Sequence, residues 1–210
     1  AAASALKAGA MSASAAHYER AIRDWHSVPR AATLAGTTLA RLMLAAVPAF
    51  QGARLFGQAA RLIDGVLKMT RDAGDRAQLL LIAAFLNWQD SGDEARTLAA
   101  VPQLMNDAVA ALDERVEVAN AVSVLSQYSI LGITSYGLHN EAAAALAEAD
   151  RRLSGTEIGA VPRSYALART VHGALLGDGA AAELVRAGDE SIFGRSVRHR
   201  GLLVMLRRHL

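Results

Sequence analysis

An all-α fold, an α-solenoid of about four to five antiparallel helical hairpins, is what this sequence predicts, on three observations. Alanine and leucine supply most of the apolar side chains: the chain is 52% hydrophobic but only 5% aromatic. Such a composition makes thin helices that approach closely, because Ala is the best helix former and carries little bulk. Four prolines in 210 residues leave long stretches uninterrupted. Third, small-residue turns followed by Ala-rich helices recur at Gly9, Gly52, Gly92, Gly137 and Gly179, spaced 43, 40, 45 and 42 residues apart. A helix, a tight turn and a second helix at that period mark a stack of repeated hairpins. At this length folding buries about 70% of the unfolded chain's surface, so a stable core is within reach.

The elements follow in order. ALKAG leaves barely two turns of helix before Gly9, and MSASAAHYERAI follows it as a second helix. AATLAGTTLARLMLAAVPAF (Ala31–Phe50) reads as a buried helix, not a membrane span. It contains Arg41, three threonines and Pro48, and falls short of a clean apolar run of about 20 residues. After the QG turn, ARLFGQAARLIDGVL is the next second helix, and RAQLLLIAAFLNW (Arg76–Trp88) is the first helix of the hairpin after that. In SGDEARTLAAV, Ser91 can cap while Glu94 reaches back, a capping box. Val118–Tyr136 is another first helix, and Asn140 and Asp178 stand where an N-cap is needed before their Ala runs. In YGLHNEAAAALAEADRRL, Ala142, Leu146, Ala149 and Leu153 form an apolar stripe, with Glu141, Glu148, Asp150 and Arg151 left to solvent.

These second helices resemble those of tetratricopeptide repeats. Gly137, Glu141-Ala142, Leu146 and Ala149 match that family's small–Glu-Ala–large–Ala pattern, and Gly9, Tyr18 and Ala21 resemble the same helix. First helices depart from the family's Trp and Leu-Gly-Tyr pattern, and the spacing exceeds the usual 34 residues. The longer spacing is more similar to the divergent helical repeats of large ATP-dependent LuxR-type bacterial regulators. The resemblance implies a concave face that binds a protein or peptide partner or an effector, as the sensor part of a bacterial transcription regulator.

Residues able to carry chemistry are few. Of six histidines, His17 pairs with Asp24 and His26 with Glu19 at a separation of seven, on one helix face each. Neither has the i, i+4 spacing of a helical zinc pair, and no third ligand is evident, so no metal or cofactor is expected. GDGAAAE (Gly177–Glu183) lacks the third glycine of a dinucleotide loop and the Gly-Lys-Ser/Thr of a phosphate loop, and reads as a hairpin turn. Asp90, Asp93 and Glu94 lack the ligand pattern of a calcium loop. With no cysteine there is no disulfide, thiolate site or cysteine nucleophile. No nucleophile elbow is present, and the chain is read as a non-enzyme.

Binding residues are sought among the bulky side chains of this thin core: Tyr18, Trp25, Trp88, Tyr128 and Tyr136 either pack between neighbouring helices or line a groove. Arg195, Arg198, Arg200, Arg207 and Arg208 are a candidate patch for an anionic partner, although the apolar LLVML among them reads as the core of a helix with a solvated rim. A formal charge of +2 gives no reason to expect a nucleic-acid binder spread over the surface. The start shows no signal-peptide pattern, and a cytoplasmic protein is expected. The alternative to a scaffold is a compact helical small-molecule-binding domain or a helical enzyme. The whole chain, 1–210, is read as one repeat domain. The all-round apolar Leu202–Leu206 implies that further residues follow or that a second copy covers it as a symmetric homodimer.

Overall fold

The computed structural model describes residues 1–90, 94–156 and 162–187; the regular structure of these residues is helical, with no strand among them. Contacts divide the chain into two compact units, Ala1–Glu114 and Arg115–Leu210. The first contains α1 (Ala2–Lys7), α2 (Met11–Arg23), a 3-10 turn (Asp24–Ser27), α3 (Ala31–Ala35), α4 (Leu39–Gly52), α5 (Phe56–Leu67), α6 (Ala73–Gln89) and α7 (Glu94–Ala110). The second contains α8 (Val118–Leu131), continued by a π turn (Gly132–Tyr136), then α9 (His139–Ser154), α10 (Arg163–Leu175) and α11 (Gly179–Ala187).

In the first unit α2 packs on α1 and α4, α4 on α5 and α6, and α6 on α5 and α7. Phe50, Met43, Ile63 and Leu79 are wholly buried among Ala46, Ala49, Ala59 and Ala83. Small residues let the helices close up around the few large ones, as the composition implies. Buried Ser14 donates its hydroxyl to the Ala2 carbonyl at 2.9 Å, which satisfies it and ties α2 to α1. The stretch expected as one buried helix, Ala31–Phe50, is interrupted. Gly36 takes a left-handed conformation (φ 61°) and ends α3, and Thr38 then caps α4 by accepting from the Arg41 amide at 3.1 Å. Gly36 and a β-branched cap are stronger local signals than the apolar content around them. Pro48 sits inside α4 and Pro102 inside α7 without ending either helix.

The hairpin turns share one mechanism. Gly9, Arg54, Gly137 and Gly177 adopt positive φ of 77°, 59°, 64° and 89°. After three of them, the next amide closes on the carbonyl five residues back: Ala10 to Ala5, Leu55 to Phe50 and Asp178 to Gly173, each at 2.9 Å. This is the Schellman closure, which satisfies a carbonyl the helix end would leave bare. At Gly137 the amide of Leu138 reaches Gly132, six back, at 3.0 Å, because the π turn inserts one extra residue. The fifth residue after each turn is buried: Ser14, Ala59, Ala142 and Ala182. At the ninth, Tyr18, Ile63 and Leu146 are buried, and at the twelfth Val66 and Ala149.

These positions correct the markers read from sequence. Gly52 is the last residue of α4 and its turn centres on Arg54; Gly179 is the first residue of α11 and its turn is Gly177–Asp178. Gly92 and Ser91 lie outside the described residues. Asp178 caps as expected, accepting from the amides of Ala180 and Ala181 at 2.9 and 3.2 Å. Asn140 does not cap: α9 already begins at His139, behind Leu138.

In the second unit α8 packs on both α9 and α10, and α10 on α11. Ile130, Leu146, Leu167, Val171 and Val185 form its core. Close approach depends on absent side chains: a methyl added to Gly132 would lie 3.4 Å from Ala142 Cβ, and one on Gly173 3.1 Å from Ala181 Cβ.

Candidate interaction surface

Because α8 is covered on two sides, nearly every residue from Ala121 to Leu131 is buried. Within that range Ser123 and Gln127, four residues apart on one face, are the half-buried exceptions; Val118, Ala119 and Asn120 before it and Thr134 in the π turn are half-buried as well. Gln127 Nε2 donates to Ser123 Oγ at 3.2 Å, and Ser164 Oγ of α10 donates to the same oxygen at 3.3 Å. At these positions the α8–α10 seam carries an amide and hydroxyls, which both donate and accept. Ser126 and Thr134 turn their hydroxyls inward to the Val122 and Ile130 carbonyls, so burial there leaves those groups satisfied.

Charge gathers instead between α9 and α10. Asp150 accepts from the Tyr165 hydroxyl and from Arg169 Nη1 at 3.0 Å. Glu148 is held by Arg151 at 2.6 Å and Arg152 at 2.8 Å. Those hydrogen bonds, Arg151 first, lower its pKa to about 2. Burial raises the Tyr165 phenol, and the Asp150 carboxylate raises it further. Burial lowers His172, with Arg169 and His139 adding to the effect. The Tyr128 phenol is raised by burial and then by Glu141. At neutral pH these groups keep the protonation states their surroundings favour: glutamate ionised, phenols and imidazole neutral.

The aromatic residues singled out in the sequence occupy different environments. Tyr18 belongs to the first unit's core and Tyr128 to α8, at 7% and 3% exposure, so their ring faces are taken up by packing. Trp25, in the 3-10 turn, and Trp88, near the end of α6, are half-buried. Trp88 stacks in a tilted geometry on Phe85, with centroids 5.9 Å apart, a partner the sequence reading did not single out. Tyr136 closes the π turn, and its side chain is not among those described. The five tail arginines and Leu202–Leu206 lie outside the described residues. Glu19, considered with His26, instead pairs with Arg23 at 2.5 Å.

The polar positions of α8 were also missed: its sequence offers Asn120, Ser123, Ser126, Gln127 and Ser129, and only the packing shows that Ser126 and Ser129 are buried while the other three stay half-buried. An open depression of about 410 Å³ lies against Ala32, Thr33, Gly36, Thr37, Thr38 and Arg41 in the first unit. Beside it Asp75, 5% exposed, receives Thr38 Oγ1 and Arg41 Nε, both at 3.5 Å. Among the described residues no group of three or more His, Asp or Glu is placed to hold a metal ion, and no helix is long and apolar enough to cross a membrane. Comparison with protein-family models, with curated proteins and with solved structures finds no match to this chain.

Proposed function

We propose that this chain is a non-catalytic helical-repeat scaffold of tetratricopeptide-like hairpins, and that its second unit takes a protein or peptide partner along the α8–α10 seam. One observation carries the reading: of six left-handed residues among those described, the ones at 9, 54, 137 and 177 each have a small residue buried at the fifth position behind them, whereas Arg30 and Gly36 do not. Spacings of 45, 83 and 40 residues between those turns accommodate one further turn between Arg54 and Gly137 at the same period. A first helix packed on its own partner and on the next first helix, as α8 is on α9 and α10, is how stacked hairpins leave a row of first-helix side chains for a ligand. Uncharged amides and hydroxyls on that row suit a peptide backbone, which offers both donors and acceptors. The resemblance of its repeat spacing to LuxR-type regulators supports reading the chain, within this proposal, as the sensing part of a bacterial transcription regulator.

Peptides selected by display against the protein test this. Binding should weaken when Ser123→Lys and Gln127→Lys are introduced together, with helicity unchanged by circular dichroism. If selected peptides bind the double variant as well as the parent, the seam is not the site. If a small metabolite instead gives saturable thermal stabilisation that competes with no peptide, the compact small-molecule-binding domain is the better description.

A further inference from the structure

The open depression of about 410 Å³ in the first unit lies between α3 and the start of α4. Ala32 and Gly36 give it apolar wall, and Thr33, Thr37, Thr38 and Arg41 bring polar groups to it. That size and mixture suit a small molecule. Gly36, at φ 61°, turns the chain from α3 into the two threonines and leaves open space where a side chain would stand. Thr38 is committed: its hydroxyl donates to Asp75 Oδ2 at 3.5 Å and accepts from the Arg41 amide at 3.1 Å. Thr33 and Thr37 are not; among the described residues neither hydroxyl makes a hydrogen bond. Thr37 is half-buried, so its hydroxyl is partly withdrawn from water without a protein partner. Arg41 is held from behind, with Nε 3.5 Å from Asp75 Oδ1; the Asp75 side chain is 8% exposed and that of Arg41 69%. Among the described residues its two Nη groups form no ion pair.

We infer that this depression binds a small hydroxy acid as its monoanion. The Nη groups of Arg41 take the carboxylate, and the Thr33 and Thr37 hydroxyls take hydroxyl groups on the neighbouring carbons. A guanidinium fork matches a carboxylate with two parallel hydrogen bonds. Threonine hydroxyls both donate and accept, so their complement is a group that does the same. Charge decides between anions. Arg41 is the one cation among the six lining residues, and the Asp75 carboxylate behind it offsets part of its charge, which leaves a phosphate dianion undercompensated. A cationic ligand is disfavoured, because Asp75 is 5% exposed and covered by Thr38 and Arg41. The site lies within the first unit and does not depend on the α8–α10 seam.

The probe is glycerate, titrated into the full chain by calorimetry, with propionate, glycerol and inorganic phosphate alongside. Glycerate should saturate one site with a Kd on the order of 1 mM, the range open to a ligand of so few atoms. Propionate, which lacks the hydroxyls, and glycerol, which lacks the charge, should each bind at least about tenfold more weakly. Arg41→Gln should weaken glycerate about tenfold. Thr37→Val, which keeps the side chain's shape, should shrink the preference for glycerate over propionate to about threefold and leave propionate unchanged. Amide exchange locates the site without a variant: glycerate should slow residues 33–41 and leave α8 as it was. The Ser123→Lys, Gln127→Lys variant should bind glycerate as the parent does, so a failure at either site is read separately from the other. No saturable binding, tighter binding of phosphate than of glycerate, or glycerate affinity untouched by both Arg41→Gln and Thr37→Val would overturn the assignment.

Discussion

Ala142→Leu is the sharpest probe of how the second unit's hairpin is built. Ala142 is wholly buried and is the fifth residue after the left-handed Gly137. Across from it Gly132 is so close that a methyl there would already stand 3.4 Å from Ala142 Cβ. A leucine therefore has no void to enter. It must push α9 off the end of α8 or leave its rotamer, and overpacking of this kind costs about 1–3 kcal/mol. Ala144, two residues on and exposed, is the control, because the same substitution there should stay within about 0.5 kcal/mol of the parent. Urea unfolding followed by far-ultraviolet circular dichroism separates the two. The midpoint should fall for Ala142→Leu at an unchanged slope. If the second unit melts on its own, a unit of about 100 residues should lose roughly 4–8 °C per kcal/mol. Equal midpoints for the two variants would mean that the close α8–α9 contact does not exist in solution.

Gly137→Ala should cost about 1–2 kcal/mol although the added methyl would touch nothing within 4 Å, because the penalty lies in the left-handed backbone alone; the same urea titration measures it. Arg54→Gly runs the other way: relief of the left-handed residue outweighs the extra freedom of the unfolded chain, and a gain of about 0.5–1 kcal/mol is expected. Asp178→Ala removes the acceptor for two amides at the start of α11 and should cost about 0.5–2 kcal/mol. Glu148 has a folded-state pKa lowered from an ordinary 4.5 to about 2 by Arg151 and Arg152. Its stabilisation is therefore complete above pH 4.5 and lost as the pH falls through 2. Glu148→Gln should flatten the stability profile within that window, and unchanged acid dependence would show that the pair does not persist in solution.

Helical content and the Asp178 cap were legible because each depends on neighbours in sequence: alanine's intrinsic preference, and a carboxylate placed just ahead of an Ala run. The same local logic read Asn140 as a cap and Gly52 and Gly179 as turns, and there it failed by a residue or two. Which residue becomes left-handed is decided by which carbonyl must be closed and which side chains the two flanking helices bury. At Arg54, burial of Phe50 before the turn and of Ala59, Ile63 and Val66 behind it outweighs the strain of a non-glycine residue at φ 59°, so no glycine marks that turn. At Gly132–Tyr136 the helix widens into a π turn, which shifts the closure by one residue and still brings Ala142 against Gly132. The sites divide in the same way. Tyr18 and Tyr128 could be picked out as large side chains in a thin core, but only the packing shows their rings to be covered. The half-buried polar side chains of α8 become a surface only when α9 and α10 cover the rest of the helix. A sequence by itself determines which residues can form a helix and roughly where it ends; which face remains uncovered is settled by many weak contacts between segments far apart in the chain, and only the tertiary structure sums them.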